Sequence, residues 1–98
     1  ILGGESAVSG GVEARLKTCT TGSVSRVSGT DRYRTASAIS EAAFATSDGA
    51  YVATGLNFPD ALAGGPVAAV NGGPILLVTK DTIPEATEIG RARCGARV

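Results

Sequence analysis

Short β-type runs recur at 24–28, 50–54 and 74–78, and a fourth begins at 96–98. Their starts lie about 25 residues apart, the rhythm of strands that alternate with helices and all run the same way. Between the first two runs, Tyr33, Ala36, Ile39, Ala43 and Phe44 fall on one face at helical spacing. This predicts a helix over 31–46, with Thr30 as its N-cap. A helix over 58–70 is framed by Asn57 as N-cap, Pro59 in the first turn, Asp60 placed to close a capping box, and Asn71-Gly72-Gly73 as its stop. Gly64-Gly65-Pro66 inside it predicts a break or kink. Thr82, Pro84 and Glu85 open a last helix that runs to about Arg93. The expected fold class is α/β: a three-layer, parallel Rossmann-like sheet of about four strands with alternating helices.

The two ends extend this pattern. Ile1-Leu2 before Gly3-Gly4-Glu5-Ser6 reads as the end of a strand entering a helix over 8–16, and Ala96-Arg97-Val98 reads as the beginning of a strand. Joined head to tail they make one strand, as expected of one period of a tandem repeat cut in mid-strand. The chain, with no Met, reads as an excised piece of a longer protein and as a single module over 1–98.

Nine basic residues balance nine acidic ones, so the electrostatic footprint of a nucleic-acid partner is missing. No apolar run approaches the roughly 20 residues that span a bilayer, and no basic amphipathic stretch points to a membrane surface. The sequence has no histidine, which removes the usual general base, imidazole metal sites and a Ser-His-Asp triad. Val8 stands where a Gly-x-Ser-x-Gly motif around Ser6 needs its second glycine, and no phosphate-binding glycine loop follows a strand. Neither a metal nor a cofactor is implied. Cys19 and Cys94 are too far apart in sequence for a Cys-x-x-Cys pair. They are either inert thiols or a disulfide at the N-terminal edge of the sheet, which would add about 4 kcal/mol to a small domain.

In a parallel sheet the strand-to-helix loops gather at the carboxyl edge, here 3–6, 28–32, 54–60 and 79–82. Helix N-termini there turn bare N–H groups and a partial positive charge outward, which suits an anionic ligand. Thr30, Asn57 and Thr82 also serve as ordinary caps, and Asp31 and Asp60 suit any first helical turn. Arg32 and Lys80 oppose the helix dipole, so their placement calls either for ion pairs with Asp31, Asp60 or Asp81 or for ligand contact.

Four segments of the chain read together: Val-Ser-Arg-Val-Ser-Gly-Thr-Asp-Arg-Tyr-Arg-Thr-Ala (24–36), Thr-Gly-Leu-Asn-Phe-Pro-Asp-Ala-Leu-Ala (54–63), Gly-Pro-Ile-Leu-Leu-Val (73–78) and Ile-Leu-Gly-Gly-Glu-Ser-Ala-Val-Ser (1–9). They resemble the cell-wall-binding repeat 2 family. The order is permuted, because the G-G-x-x-A-V-S element, normally last, comes first. Gly64-Gly65 stands where the family more often has alanines, and the two cysteines lie outside its general pattern. The resemblance implies a non-catalytic module of secreted Gram-positive surface proteins, found in three tandem copies about a pseudo-threefold axis. It implies anchoring of S-layer and other surface proteins to an anionic wall polysaccharide or teichoic-type polymer. By match, Pro74, Ile75, Leu76 and Leu77 occupy the P-I-L-L element associated with anchoring, although an apolar strand is also what a core requires. Asn57, Phe58 and Asp60 belong to the N-F-P-D-A-L element. Polymer-binding candidates are therefore Thr30, Asp31, Arg32, Asn57, Phe58, Asp60, Pro74, Ile75, Leu76, Leu77 and Lys80. Surfaces rich in Ala and Gly add an expectation of self-association, as a trimer or with tandem copies. The rival reading is a fragment of a small α/β hydrolase or nucleotide-binding enzyme, with Asp31 and Asp60 as an acid/base pair.

Overall fold

Residues 51–78 form the strand, helix and strand that their pattern predicts. The computed structural model describes residues 1–44 and 47–93, with the backbone alone at Phe58 and 91–93. Its elements in chain order are α1 (Gly10–Cys19), α2 (Arg32–Ala43), β1 (Tyr51–Thr54), α3 (Phe58–Asn71), β2 (Ile75–Val78) and α4 (Glu85–Arg93). β1 and β2 pair in parallel, with Tyr51 opposite Ile75 and Thr54 opposite Val78.

Successive strand residues point to opposite faces, and this sorts the helices. Gly64 of α3 lies over Ile75, whereas Gly90 of α4 lies over Leu76 and Ser37. α3 therefore covers one face of β1 and β2, while α2 and α4 pack on each other and on β2 from the opposite side. Leu76 is fully buried between them, with Ala68 and Ala86 completing a small core. A Cβ on Gly90 would stand 3.0 Å from Leu76 Cδ2 and 3.1 Å from Ser37 Oγ, so the absence of a side chain is what lets α4 approach. Thr87, also buried, donates its hydroxyl to the Leu77 carbonyl and ties α4 to β2.

Several expectations are corrected. Among the described residues the sheet has two parallel strands of the about four expected, with α3 on one face and α2 and α4 on the other. Residues 24–28 contribute one parallel bridge, Leu2 to Val27, because they pair with the N-terminal segment and not with β1 or β2. Val27 N–H donates to the Ile1 carbonyl and Gly3 N–H to the Val27 carbonyl. The expected strand at 96–98 and its meeting with Ile1-Leu2 lie outside the described residues.

Asp31 rather than Thr30 caps α2, because its carboxylate accepts the Arg34 N–H at 2.8 Å. Asn57 flanks α3 without a side-chain cap bond, so the box with Asp60 is not made. α3 runs unbroken through Pro66 to a left-handed Gly72, φ 69°. The proline lies on the exposed side of the helix, where solvent can take the carbonyl freed one turn earlier.

α1 begins after Ser9, whose hydroxyl accepts the Val12 N–H, later than the expected 8–16. It packs against no other helix or strand among the described residues. Cys19, at its end, is an exposed free thiol. The expected disulfide is thus not made at Cys19, and Cys94 lies outside the described residues.

Candidate functional site

The carboxyl ends of β1 and β2 run into the loops that start α3 and α4, and α2 begins beside them. Arg32 Nη1 donates to the Gly55 carbonyl, joining the start of α2 to the loop after β1. The Tyr33 ring seals the same junction. A Cβ on Gly55 would lie 2.6 Å from Tyr33 Cε1, so only glycine admits the ring. Gly29 is constrained more tightly, because a Cβ there would meet Arg34 Cβ at 2.4 Å and the Arg34 carbonyl carbon at 2.6 Å. Its N–H donates to Thr35 Oγ1 at 2.9 Å. The glycines and the Asp-Arg-Tyr segment thus interlock as one structural corner.

That corner redistributes the candidates. Arg32 is held by a backbone carbonyl and not by an aspartate, and Asp31 is a helix cap that also faces Arg34 Nε at 4.0 Å. Thr30, Asn57, Asp60 and Lys80 are exposed along the same edge. Phe58 opens α3 there. Lys80 forms no ion pair among the described residues. It projects from a turn in which Thr82 N–H donates to Thr79 Oγ1 at 3.0 Å and Thr79 N–H to the Thr82 carbonyl at 3.1 Å.

Two hollows open at this edge. One, about 360 Å³, is lined by Arg32, Thr54, Gly55, Ala61 and Leu77. The other, about 310 Å³, has an apolar floor of Val52, Leu76 and Val78 beneath a rim that includes Lys80, Asp81 and Ile83. The Pro74 to Leu77 element divides differently. Pro74 and Leu76 are buried, Ile75 and Leu77 are half-buried, and Pro74 lies at the far end of β2, where its carbonyl accepts the Tyr51 N–H. A larger hollow of about 630 Å³ occupies that far edge, with Asp48, Tyr51 and Asn71 among its described lining residues.

Arg26 and Glu13 have structural roles that sequence reasoning did not assign. Arg26 Nε donates to Glu13 Oε1 at 3.1 Å and Nη1 to the Gly3 carbonyl at 2.8 Å, with the side chain 15% exposed. The available signal was Arg26 itself, since a basic residue between Ser25 and Val27 in an apparent strand needs a partner.

Residues 26–94 match the family model described as Cell wall binding domain 2. The chain is 44% identical over 85 residues to the Amidase enhancer of Bacillus subtilis (strain 168), covering 87% of this chain and 12% of that protein. It is 40% identical over 87 residues to the N-acetylmuramoyl-L-alanine amidase LytC of the same organism, covering 89% of this chain and 17% of that protein. Among solved structures it is similar to Cwp8 from Clostridium difficile, with a TM-score of 0.76 and 33% identity over 92% of this chain and 15% of that one. The chain thus spans a small part of each relative.

Proposed function

The chain belongs to the Cell wall binding domain 2 family, a binding module of the cell wall or cell surface and not an enzyme, and from that premise we propose how it holds the wall. The ligand is an anionic wall polymer, a polysaccharide or teichoic-type chain, and it lies along the carboxyl edge of β1 and β2. The observation that carries this reading is the gathering of the N-termini of α2, α3 and α4 at one edge with the unpaired Lys80. Each helix N-terminus favours a nearby anion by about 0.3–1 kcal/mol, so several weak contacts along a repeating polyanion add up without a deep pocket. Asn57, whose side chain makes no cap bond, and Thr30 supply hydrogen-bonding groups beside them.

The same reading takes the chain as part of a secreted Gram-positive surface protein, of S-layer or related type, that is anchored without a covalent bond. It also takes the two-stranded sheet as the centre of a four-stranded, Rossmann-like one, with copies of the module packing together in tandem or as a trimer. The exposed apolar residues Leu62, Val67 and Val70 on α3 support such packing, since a helix that is apolar on its outer side is normally covered. The hydrolase or nucleotide-enzyme alternative falls with the family assignment.

Co-sedimentation with purified cell walls, before and after removal of their anionic polymers, tests the proposal. Binding should be lost with the polymers and should weaken as salt rises, because exposed charges are screened within about 10 Å at 0.1 M. Undiminished binding to stripped walls would overturn it.

A further inference from the structure

The hollow at the far edge of the sheet lies between the chain entering β1 and the chain entering β2, and its polar groups differ in kind from those of the carboxyl edge. Its volume, about 630 Å³, falls within the roughly 300–1,000 Å³ of small-ligand clefts.

Its walls are held before any ligand arrives. Ser47 donates its hydroxyl to the Gly49 carbonyl at 2.6 Å, and Tyr51 N–H donates to the Pro74 carbonyl at 2.9 Å. A Cβ on Gly73 would stand 2.8 Å from the Gly49 carbonyl oxygen, so the two loops meet where only glycine allows it. A ligand entering such a hollow does not first have to order its loops.

Three side chains give the hollow its chemistry. Asn71 Nδ2 donates to the Tyr51 hydroxyl oxygen, which leaves the tyrosine proton and Asn71 Oδ1 for a ligand. Asp48 is exposed and forms no ion pair among the described residues, and its carboxylate can only accept. The end of α3 at Asn71 adds the partial negative charge of a helix C-terminus to that of Asp48, and both oppose an anion. Neither makes a metal site, since no group of three ligating side chains occurs among the described residues. Hydroxyl groups fit the set, because each can donate to Asp48 or Asn71 and accept from Tyr51. The ring of Tyr51 adds apolar surface for the C–H groups of a sugar.

We propose that this hollow binds an uncharged glycan, with Asp48 accepting from sugar hydroxyls and Tyr51 and Asn71 completing the hydrogen bonds. The proposal rests on the wall-binding reading for its choice of a carbohydrate and adds a second ligand class, at the edge opposite the polyanion. At the millimolar affinity of an open hollow this site alone does not sediment dilute protein. Stripped walls therefore still report on the polyanion, and the two readings fail separately.

The test titrates two uncharged trisaccharides, cellotriose and N-acetylated chitotriose, into the isotope-labelled chain with no wall present. At millimolar concentration at least one should shift the amide resonances of residues 47–51 and 71–73 and leave those of 79–82 in place, equally in low and high salt. Asp48→Ala, at an exposed loop position, should weaken that binding several-fold. Tyr51→Phe, which keeps the ring and loses the hydroxyl, should weaken it by a smaller factor, and unchanged resonances elsewhere check that both variants are folded. No shift with either sugar would overturn the proposal. So would shifts confined to 79–82, binding that disappears in high salt, or wild-type affinity in Asp48→Ala.

Discussion

The N-terminal segment of residues 1–27 and the α/β body that follows each combine extended chain with helix, but different forces hold them. In the body, β2 is enclosed by helices whose contact residues are small, with Gly64 of α3 over Ile75 and Gly90 of α4 over the fully buried Leu76. The N-terminal segment has no such core. Its extended chain is a single bridge between Leu2 and Val27, and α1 is attached through one arginine that spans Glu13 and the Gly3 carbonyl. Close packing makes the body cooperative, whereas a polar clamp leaves the helix attached but its apolar side uncovered.

Removing the packed side chain should have the largest effect. Leu76→Ala should cost about 2–5 kcal/mol, since it vacates the only large apolar side chain that is fully buried among the described residues. Thermal unfolding should show the whole body melting earlier, and a loss below about 1 kcal/mol would mean that the core lies elsewhere. Next is Gly29→Ala, at the seam between the two regions. Its Cβ would fall 2.4 Å from Arg34 Cβ, so the start of α2 must shift, at about 1–3 kcal/mol by analogy with overpacked cores. A neutral result in denaturant titration would show that the loop relaxes freely.

Arg26→Ala should be smaller globally and sharply local. The lost charge-assisted bonds are worth about 1–3 kcal/mol. Amide hydrogen exchange should accelerate across Gly10–Cys19, while β1 and β2 keep their protection. Equal acceleration in both regions would show that the clamp supports the whole chain and would dissolve the comparison.

The contrast also accounts for what could be read from the sequence. The βαβ unit and most helix limits follow from local signals, such as apolar spacing in α2 and the glycine stop of α3. Residues 24–28 read as a short β-type run, but a strand exists only through its partner, and their partner is a two-residue end rather than the central sheet. Thr30 and Asp31 both suit a cap by type, and only the backbone path decides between them. The gathering of helix N-termini at one edge was legible from topology because parallel strands deliver them to one side. The individual roles there were less so. Arg32 spends its guanidinium on a backbone carbonyl, a partner that has no residue identity to read, and the same holds for Arg26 at Gly3. Lys80 is thereby left as the cation of the edge that forms no ion pair among the described residues.

Removal of one positive charge at each of two places tests the central claim most directly. Lys80→Gln alters the carboxyl edge, while Lys17→Gln alters α1, where Lys17 faces Glu13 at 3.7 Å and is exposed. Both changes lower the net charge equally, and surface substitutions of this kind leave stability within about 0.5 kcal/mol. In co-sedimentation of dilute protein with purified walls at low salt, Lys80→Gln should weaken binding several-fold and Lys17→Gln should leave it near the wild-type value. Equal binding by both variants, or an equal loss in both, would contradict a polymer site at the carboxyl edge.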